Sequence, residues 1–141
     1  MRSGEPLGIQ AIVDLLAMER HPTAGWYSLH YSESELLGRS RLSSMYHLIA
    51  GDEPLPLHRS DGVAVWHHHL GAAAEITVTN GALVHEVSRV GPDLLAGERP
   101  QLAVPAHFWH GCRSLGTWTL FGCVLSPGYS SRATFVLSAD D

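Results

Sequence analysis

The segment HRSDGVAVWHHHLG, which runs from His58 to Gly71, decides the fold of this chain. Its residues 63–70 predict a β-strand, and the side chains of a strand point alternately to opposite faces. A second segment, VPAHFWH (104–110), again places histidines beside aromatic side chains. Together the two segments point to a pocket inside a small β-barrel.

Most of the chain beyond residue 25 also favours β-structure. Further strands are predicted at 26–31, 43–49, 75–79, 82–87, 101–104, 108–113, 117–125 and 133–137. Asn80-Gly81, between two of these strands, is a strong signal for a type I′ hairpin turn. About nine or ten short strands, with turn signals every 8–12 residues or so, are typical of a sandwich or barrel. The predicted fold class is therefore all-β.

One short helix is predicted before the strands, over residues 6–19. Ile9, Ile12, Val13 and Leu16 follow the spacing i, i+3, i+4, i+7, which gives a single apolar stripe. The dipeptide His21-Pro22 is expected to end the helical region, because a residue before proline avoids the α conformation.

Length and charge limit the classes of function. The 141 residues predict one domain, 1–141, large enough for a hydrophobic core. The formal net charge is -5, and all nine cations are arginines, which argues against a nucleic-acid partner and excludes lysine Schiff-base chemistry. The chain contains no long apolar run and no signal-peptide pattern at its start, so we expect a cytoplasmic protein without a membrane partner.

Cys112 and Cys123 are the only cysteines. They form no CxxC motif, so a zinc ribbon or a thioredoxin-like site is not predicted. Buried free thiols are the favoured interpretation, and a disulfide or a nucleophilic cysteine stays open as an alternative.

Five boxes in order resemble one family of small bacterial and fungal proteins, the cupin type 5 family, also called DUF985. The boxes are HPTAGWY (21–27), LSSMY (42–46), His58 to Gly71, VPAHFW (104–109) and SPGY (126–129). The resemblance covers residues 8–137 and implies a double-stranded β-helix, or jelly-roll, cupin barrel that forms a homodimer. Proteins with this fold include epimerases, isomerases, lyases and dioxygenases, so the resemblance does not define a reaction.

The chain departs from the family at residues that carry chemistry. Thr23 stands where the first box has glutamate. Val63 and Ala64 replace the two acidic residues of the long box, and His107 replaces a glycine. A pocket that loses acids and gains a histidine is expected to bind a different ligand from that of its relatives.

A metal site is possible but not favoured. His58 and His110 match the histidines that bind metal in cupins, and His68 would share a strand face with Ala64 and Trp66. His58, His68 and His110 are therefore the candidate metal ligands. The carboxylate ligand is missing, because the spacing places Ala64 at its position.

Acid–base chemistry without a cofactor is favoured instead. Histidine accepts and donates protons near neutral pH, so His58 and His110 are predicted catalytic residues. Tyr46 is predicted to face them as the partner acid, with His47 pointing away. His21 is expected at the surface or outside the first shell of the pocket. The remaining predicted substrate-binding residues are Trp26, Trp66, His68 and Trp109.

The leading hypothesis is a metal-independent isomerase, epimerase, cyclase or dehydratase. Its small-molecule substrate would carry an acidic C–H beside a carbonyl group, as in a sugar derivative or a polyketide-like compound. Two alternatives remain: a metal-dependent dioxygenase or lyase that uses His58, His68 and His110, and a non-catalytic cupin that binds a small ligand.

Overall fold

The computed structural model describes residues 7–33, 38–81 and 85–137, and β-strands dominate it. Within these ranges it contains one α-helix, α1 (Ile9–Leu15), and eleven strands. The strands are β1 (Glu19–Arg20), β2 (Trp26–Ser32), β3 (Ser43–Ala50), β4 (Leu55–Ser60), β5 (Val63–Gly71), β6 (Ala74–Thr79), β7 (His85–Val90), β8 (Gln101–Val104), β9 (Trp109–Ser114), β10 (Trp118–Ser126) and β11 (Thr134–Val136).

The strands form two sheets. One has six strands in the order β1-β2-β3-β10-β5-β8, and the other has five in the order β11-β4-β9-β6-β7. Paired strands within each sheet are antiparallel. Six of the nine described strand pairs, such as β3–β10 and β4–β9, join strands that are not consecutive in sequence, as in a jelly roll, and the predicted all-β class is confirmed.

The main hydrophobic core lies between the two sheets. Trp66, Ile76 and Phe121 are almost completely buried there, each from a different strand. The edge of the Trp66 ring system meets Phe121 at a centroid distance of 5.1 Å, in a T-shaped pair. Such pairs add about 0.5–1.5 kcal/mol beyond the burial of their area. This packing fills one part of the barrel and leaves space for a cavity beside it.

A second apolar cluster lies on the outer face of the six-stranded sheet, under α1. Ile12 of the helix packs with Met18, Leu48 and Leu120. The apolar stripe of the helix was predicted correctly, but the helix ends at Leu15, four residues before the predicted end. Ala17 has a positive φ of 50°, which a helix cannot continue through. Pro6, the predicted first residue, lies outside the described residues.

The predicted strands differ from the observed ones by a few residues at their ends. The largest shift is in the hairpin after β6, where β7 begins at His85 instead of residue 82. Gly81 has a φ of +86°, which suits the predicted turn. Residues 34–37, 82–84 and 138–141 lie outside the described residues. No described helix has the length and apolarity needed to span a membrane.

We predict that Gly25→Ala destabilises the protein more than Gly97→Ala does. Both glycines have positive φ, +77° and +89°, so alanine is strained at either position. A Cβ at Gly25 would also lie 2.2 Å from the Leu48 carbonyl oxygen, whereas a Cβ at Gly97 would meet nothing within 4 Å. Urea unfolding should give a loss of about 1 kcal/mol for Gly97→Ala and a clearly larger loss for Gly25→Ala. Equal losses would contradict this account of Gly25.

Candidate active site

A cavity lies between the two sheets, and four histidines line it. They are His21 after β1, His47 on β3, His58 on β4 and His110 on β9. The cavity has a volume of about 70 Å³, which suits a small molecule or one part of a larger one. The other lining residues are Thr23, Ser43, Met45, Ser60, Ala64, Trp66, Cys123, Leu125, Tyr129 and Thr134.

His58 and His110 are direct partners across the antiparallel pair β4–β9. Their ring centroids are 4.1 Å apart. The Nδ1 atom of His58 lies 3.0 Å from the carbonyl oxygen of Pro56. Because a carbonyl only accepts, His58 donates its Nδ1–H, and its Nε2 carries the lone pair in the neutral ring. Burial lowers the pKa of His58, which favours this neutral form.

His110 has the opposite tautomer, and Trp66 fixes it. The indole N–H of Trp66 donates to His110 Nε2 at 3.2 Å, so the proton of the neutral His110 ring is on Nδ1. That Nδ1 is buried and makes no hydrogen bond to any described residue. Burial, followed by the nearby His58, lowers the pKa of His110 to about 3.

His47 and His21 form the second pair. Their rings stack with centroids 4.4 Å apart. His47 donates its Nε2–H to the Ala24 carbonyl at 2.8 Å, and within the described residues its buried Nδ1 has no partner. The backbone N–H of Thr23 donates to His21 Nδ1 at 3.1 Å, so the His21 proton is on Nε2. Burial is the main cause that lowers the pKa of His47 to about 3 and that of His21 to about 4.

The cavity is uncharged at neutral pH. Among the described residues that line it, none is an aspartate, glutamate or arginine. Three of the four imidazoles have pKa values of about 3 or 4, well below neutrality. Burial raises the pKa of the Cys123 thiol to about 12, so this group is also neutral. The site can therefore offer lone pairs and N–H donors, but no fixed charge, to a ligand.

The structure brings together three of the predicted site residues: His58, His110 and Trp66 all line the cavity. Tyr46 does not join them. Its side chain packs in the outer cluster under α1, and His47, the next residue, faces the cavity instead. The expectation that Tyr46 points inward and His47 outward is therefore wrong, because the alternation along β3 has the opposite phase.

Trp26 and Trp109 also lie outside the cavity. Trp26 is the partner of Leu48 across β2–β3 and packs with it in the outer cluster, where the Arg20 guanidinium lies 4.5 Å from the indole centroid. Trp109 precedes the inward His110 and therefore points outward, with Arg59 4.8 Å from its ring centroid. The substrate-binding positions predicted for these two tryptophans are wrong.

His68 does not reach the other candidate metal ligands. Its Nε2 lies 3.0 Å and 3.2 Å from the carbonyl oxygens of Gly71 and Ala72, so this nitrogen bears a proton and has no lone pair to bind a metal. A register shift in β5 lies beside it, between the partners of Leu120 and Phe121. His68 lines none of the cavity, and the predicted binding role at this position is not supported.

The donor set does not fit a cupin metal. Ala64 lies in the cavity wall where the carboxylate ligand would stand, and the His110 Nε2 lone pair accepts the Trp66 N–H. Across the described ranges, no group of three or more histidine, cysteine, aspartate or glutamate residues is arranged to hold a metal ion. We therefore derive no chemistry through a metal.

Other polar residues have structural roles. Asp61 accepts hydrogen bonds from both terminal nitrogens of Arg39 at 2.6 Å and 2.7 Å. Cys112 and Cys123 are buried free thiols, as predicted. His107 has a φ of 71°, a conformation that favours the glycine found in the family box.

His21 and His47 are the site residues that the sequence analysis missed. For His47 the alternation along β3 is ambiguous, because the helix covers the outer face and both faces of the strand are buried. Tyr46 and Leu48 are on the face that α1 covers, which leaves Met45 and His47 for the interior. The position of His21 depends on a loop whose path no periodicity reveals.

A jelly-roll barrel with inward histidines on two hairpin segments defines a cupin. The chain belongs to the Cupin superfamily (DUF985) family, whose sequence profile matches residues 10–136. The match does not test whether residues 1–141 form a single domain, so this stays a prediction. No curated protein matches the chain.

Solved structures agree with the fold. A protein from Shewanella oneidensis is 28% identical, with a TM-score of 0.85, and the alignment covers 92% of this chain and 84% of that one. A hypothetical protein from Leishmania major is 22% identical, with a TM-score of 0.82, and the alignment covers 92% of this chain and 86% of that one. Oxalate decarboxylase from Bacillus subtilis is 19% identical, with a TM-score of 0.66, and the alignment spans 84% of this chain but only 29% of the enzyme. At this identity the last two similarities show the fold alone.

We predict that His47→Gln weakens the dependence of stability on pH. The native pKa of His47, about 3, lies below the ordinary value of 6.5, so the unfolded state binds more protons between these values. The free energy of unfolding is then highest above about pH 6.5 and falls as the pH decreases toward 3. The variant should lose up to about 1.4 kcal/mol per pH unit of this slope between about pH 6 and pH 4.

The measurement is urea unfolding of both proteins across that range. Glutamine keeps a donor for the Ala24 carbonyl, so the variant should remain folded. Above about pH 7.5 the two curves should run parallel, which serves as an internal control. Curves that are parallel throughout would mean that His47 is not buried as a neutral ring.

Proposed function

We propose that this protein is an enzyme that moves a proton on a small carbonyl compound without a metal, as an isomerase, epimerase, cyclase or dehydratase does. The observation that carries the proposal is the pair of tautomers on His58 and His21. Both rings line the cavity, and the backbone fixes one with a free Nε2 lone pair and the other with an Nε2–H.

His58 is the proposed base. Its Nδ1–H is engaged with the Pro56 carbonyl, which orients the ring and leaves Nε2 to accept a proton from a C–H beside the substrate carbonyl. A backbone carbonyl in this position also stabilises the imidazolium that forms when Nε2 is protonated.

His21 is the proposed acid, in the role that sequence reasoning gave to Tyr46. Its Nδ1 accepts from the Thr23 backbone, so its Nε2–H can donate a hydrogen bond to the carbonyl oxygen while His58 returns the proton that it took from carbon. Both rings line the same cavity, and His58 is, after burial, the second cause that lowers the pKa of His21.

The low pKa values explain how the proton transfer would be coupled. Burial disfavours an isolated imidazolium in this cavity, which is why the rings rest in the neutral form. If His58 takes a proton from carbon, an enolate forms at the same moment, and the two opposite charges stabilise each other at short distance. The site therefore favours charges that appear as a pair over either charge alone.

The binding alternative also has a specific observation in its favour. His110, one of the two predicted catalytic histidines, has a pKa of about 3 and gives its Nε2 lone pair to Trp66. A ring in this state is a weak base and serves as a wall or hydrogen-bonding group. A cupin that only binds its ligand would need nothing more from it.

We predict that the protein accelerates hydrogen–deuterium exchange of 2-pentanone in D₂O at the carbon beside the carbonyl. His58→Gln should reduce the enzymatic exchange rate at least about 100-fold, the usual range for losing a general base. The rate should fall as the pH falls through the pKa of His58, which lies below its ordinary value, because only the neutral ring accepts a proton. Proton NMR follows the exchange directly.

Two controls separate the alternatives. His30→Gln changes an exposed histidine outside the cavity and should leave the rate unchanged. EDTA should also have no effect, whereas loss of exchange on chelation would support the metal-dependent alternative. Calorimetric binding of 2-pentanone without any exchange would overturn the enzymatic proposal in favour of a binding cupin.

A further inference from the structure

A groove continues from the cavity to the surface. We call it the mouth groove. The mouth groove shares His21, Ser43, Met45 and Tyr129 with the cavity, and its volume is about 370 Å³. The cavity and the larger mouth groove therefore adjoin at these four residues.

The walls of the mouth groove are largely apolar. Beyond the shared residues they include Pro22, Tyr27 and Leu29. Leu29 is 62% exposed and Tyr129 is 50% exposed. Exposed apolar side chains that cluster beside a cavity are a mark of ligand-binding surface.

Among the described residues, no lysine or arginine lines the cavity or the mouth groove. Glu19 is the single charged residue among the described residues that line either part. Its hydrogen bond is the main cause that raises the pKa of Tyr27. Several arginines near the lining residues in sequence are engaged elsewhere: Arg20 pairs with Glu53 at 2.7 Å, Arg39 with Asp61 at 2.6 Å and Arg41 with Glu33 at 3.0 Å. The Arg59 guanidinium lies 4.8 Å from the Trp109 ring centroid. Phosphate recognition uses arginine, lysine or clustered backbone N–H groups, so phosphorylated sugars lack a partner here.

We infer that the ligand is an uncharged carbonyl compound with an apolar tail, whose carbonyl head enters the histidine cavity and whose tail lies in the mouth groove. This inference rests on the proposed function for the position of the carbonyl. Of the two ligand classes considered, sugar derivatives and polyketide-like compounds, the inference selects polyketide-like compounds. Only these compounds match both the uncharged head site and the apolar tail site.

The test is calorimetric binding of a series of 2-alkanones, from 2-butanone to 2-decanone, to the full chain. Each added methylene that reaches the groove should tighten binding about fourfold. Leu29→Asp should weaken binding of the long members about tenfold or more and leave 2-butanone unchanged. Leu95→Asp, at a fully exposed leucine far from the space in sequence and in no part of its lining, is the matched control and should bind like the parent.

The outcomes separate this inference from the proposed function. Binding that is independent of chain length, equal effects of Leu29→Asp and Leu95→Asp, or tighter binding of dihydroxyacetone phosphate than of 2-pentanone would each overturn the tail site. Chain-length-dependent binding without deuterium exchange supports the tail site and overturns the enzymatic proposal. Exchange of 2-pentanone without chain-length-dependent binding supports the enzymatic proposal and overturns the tail site.

Discussion

The register between β4 and β9 is the constraint on which the site depends. It places His58 directly opposite His110, so the two rings enter the interior at the same level and lie 4.1 Å apart by their centroids. Trp66 then lies against His110 from the other sheet, and Phe121 packs against Trp66. The cavity is the space that this stack does not fill. A shift of one residue in either strand would turn a histidine out to solvent.

Burial of the imidazoles has a cost that the fold only partly offsets. Each ring has a neighbour that fixes one nitrogen, by a backbone group in three cases and by Trp66 in the fourth. The Nδ1 atoms of His47 and His110 remain buried without a partner among the described residues. Each such atom costs about 1–3 kcal/mol. Unpaired polar atoms of this kind are uncommon in protein interiors and point to a position kept for function.

The sequence predicted the class of fold and two of the four cavity histidines, His58 and His110. The reason is that alternation shows which face of a strand is inward only where the other face is exposed. On β5 one face is inward and one is outward, so Ala64 and Trp66 could be assigned to the interior by alternation. On β3 both faces are buried, because α1 covers the outer one, and Leu48 and Ile49 are equally inaccessible. Hydrophobic alternation then carries no information about which face is the inner one, and Tyr46 was exchanged for His47. His21 depends on a loop held by the Gly25 turn, and loop paths have no period to read.

The cavity histidines stay neutral because no carboxylate among the described lining residues lies beside them. Thr23 and Ala64 both line the cavity, at two positions where the resemblance to the cupin type 5 family implies acidic residues. A carboxylate at either position would raise the pKa of the neighbouring imidazoles and hold one of them as a cation. It would also offer an oxygen ligand to a metal. With both acids replaced, burial dominates the pKa of each ring, so the rings stay neutral. The cavity then keeps a lone pair on His58 and an N–H on His21, and these two groups match an uncharged carbonyl compound better than an anion or a metal ion.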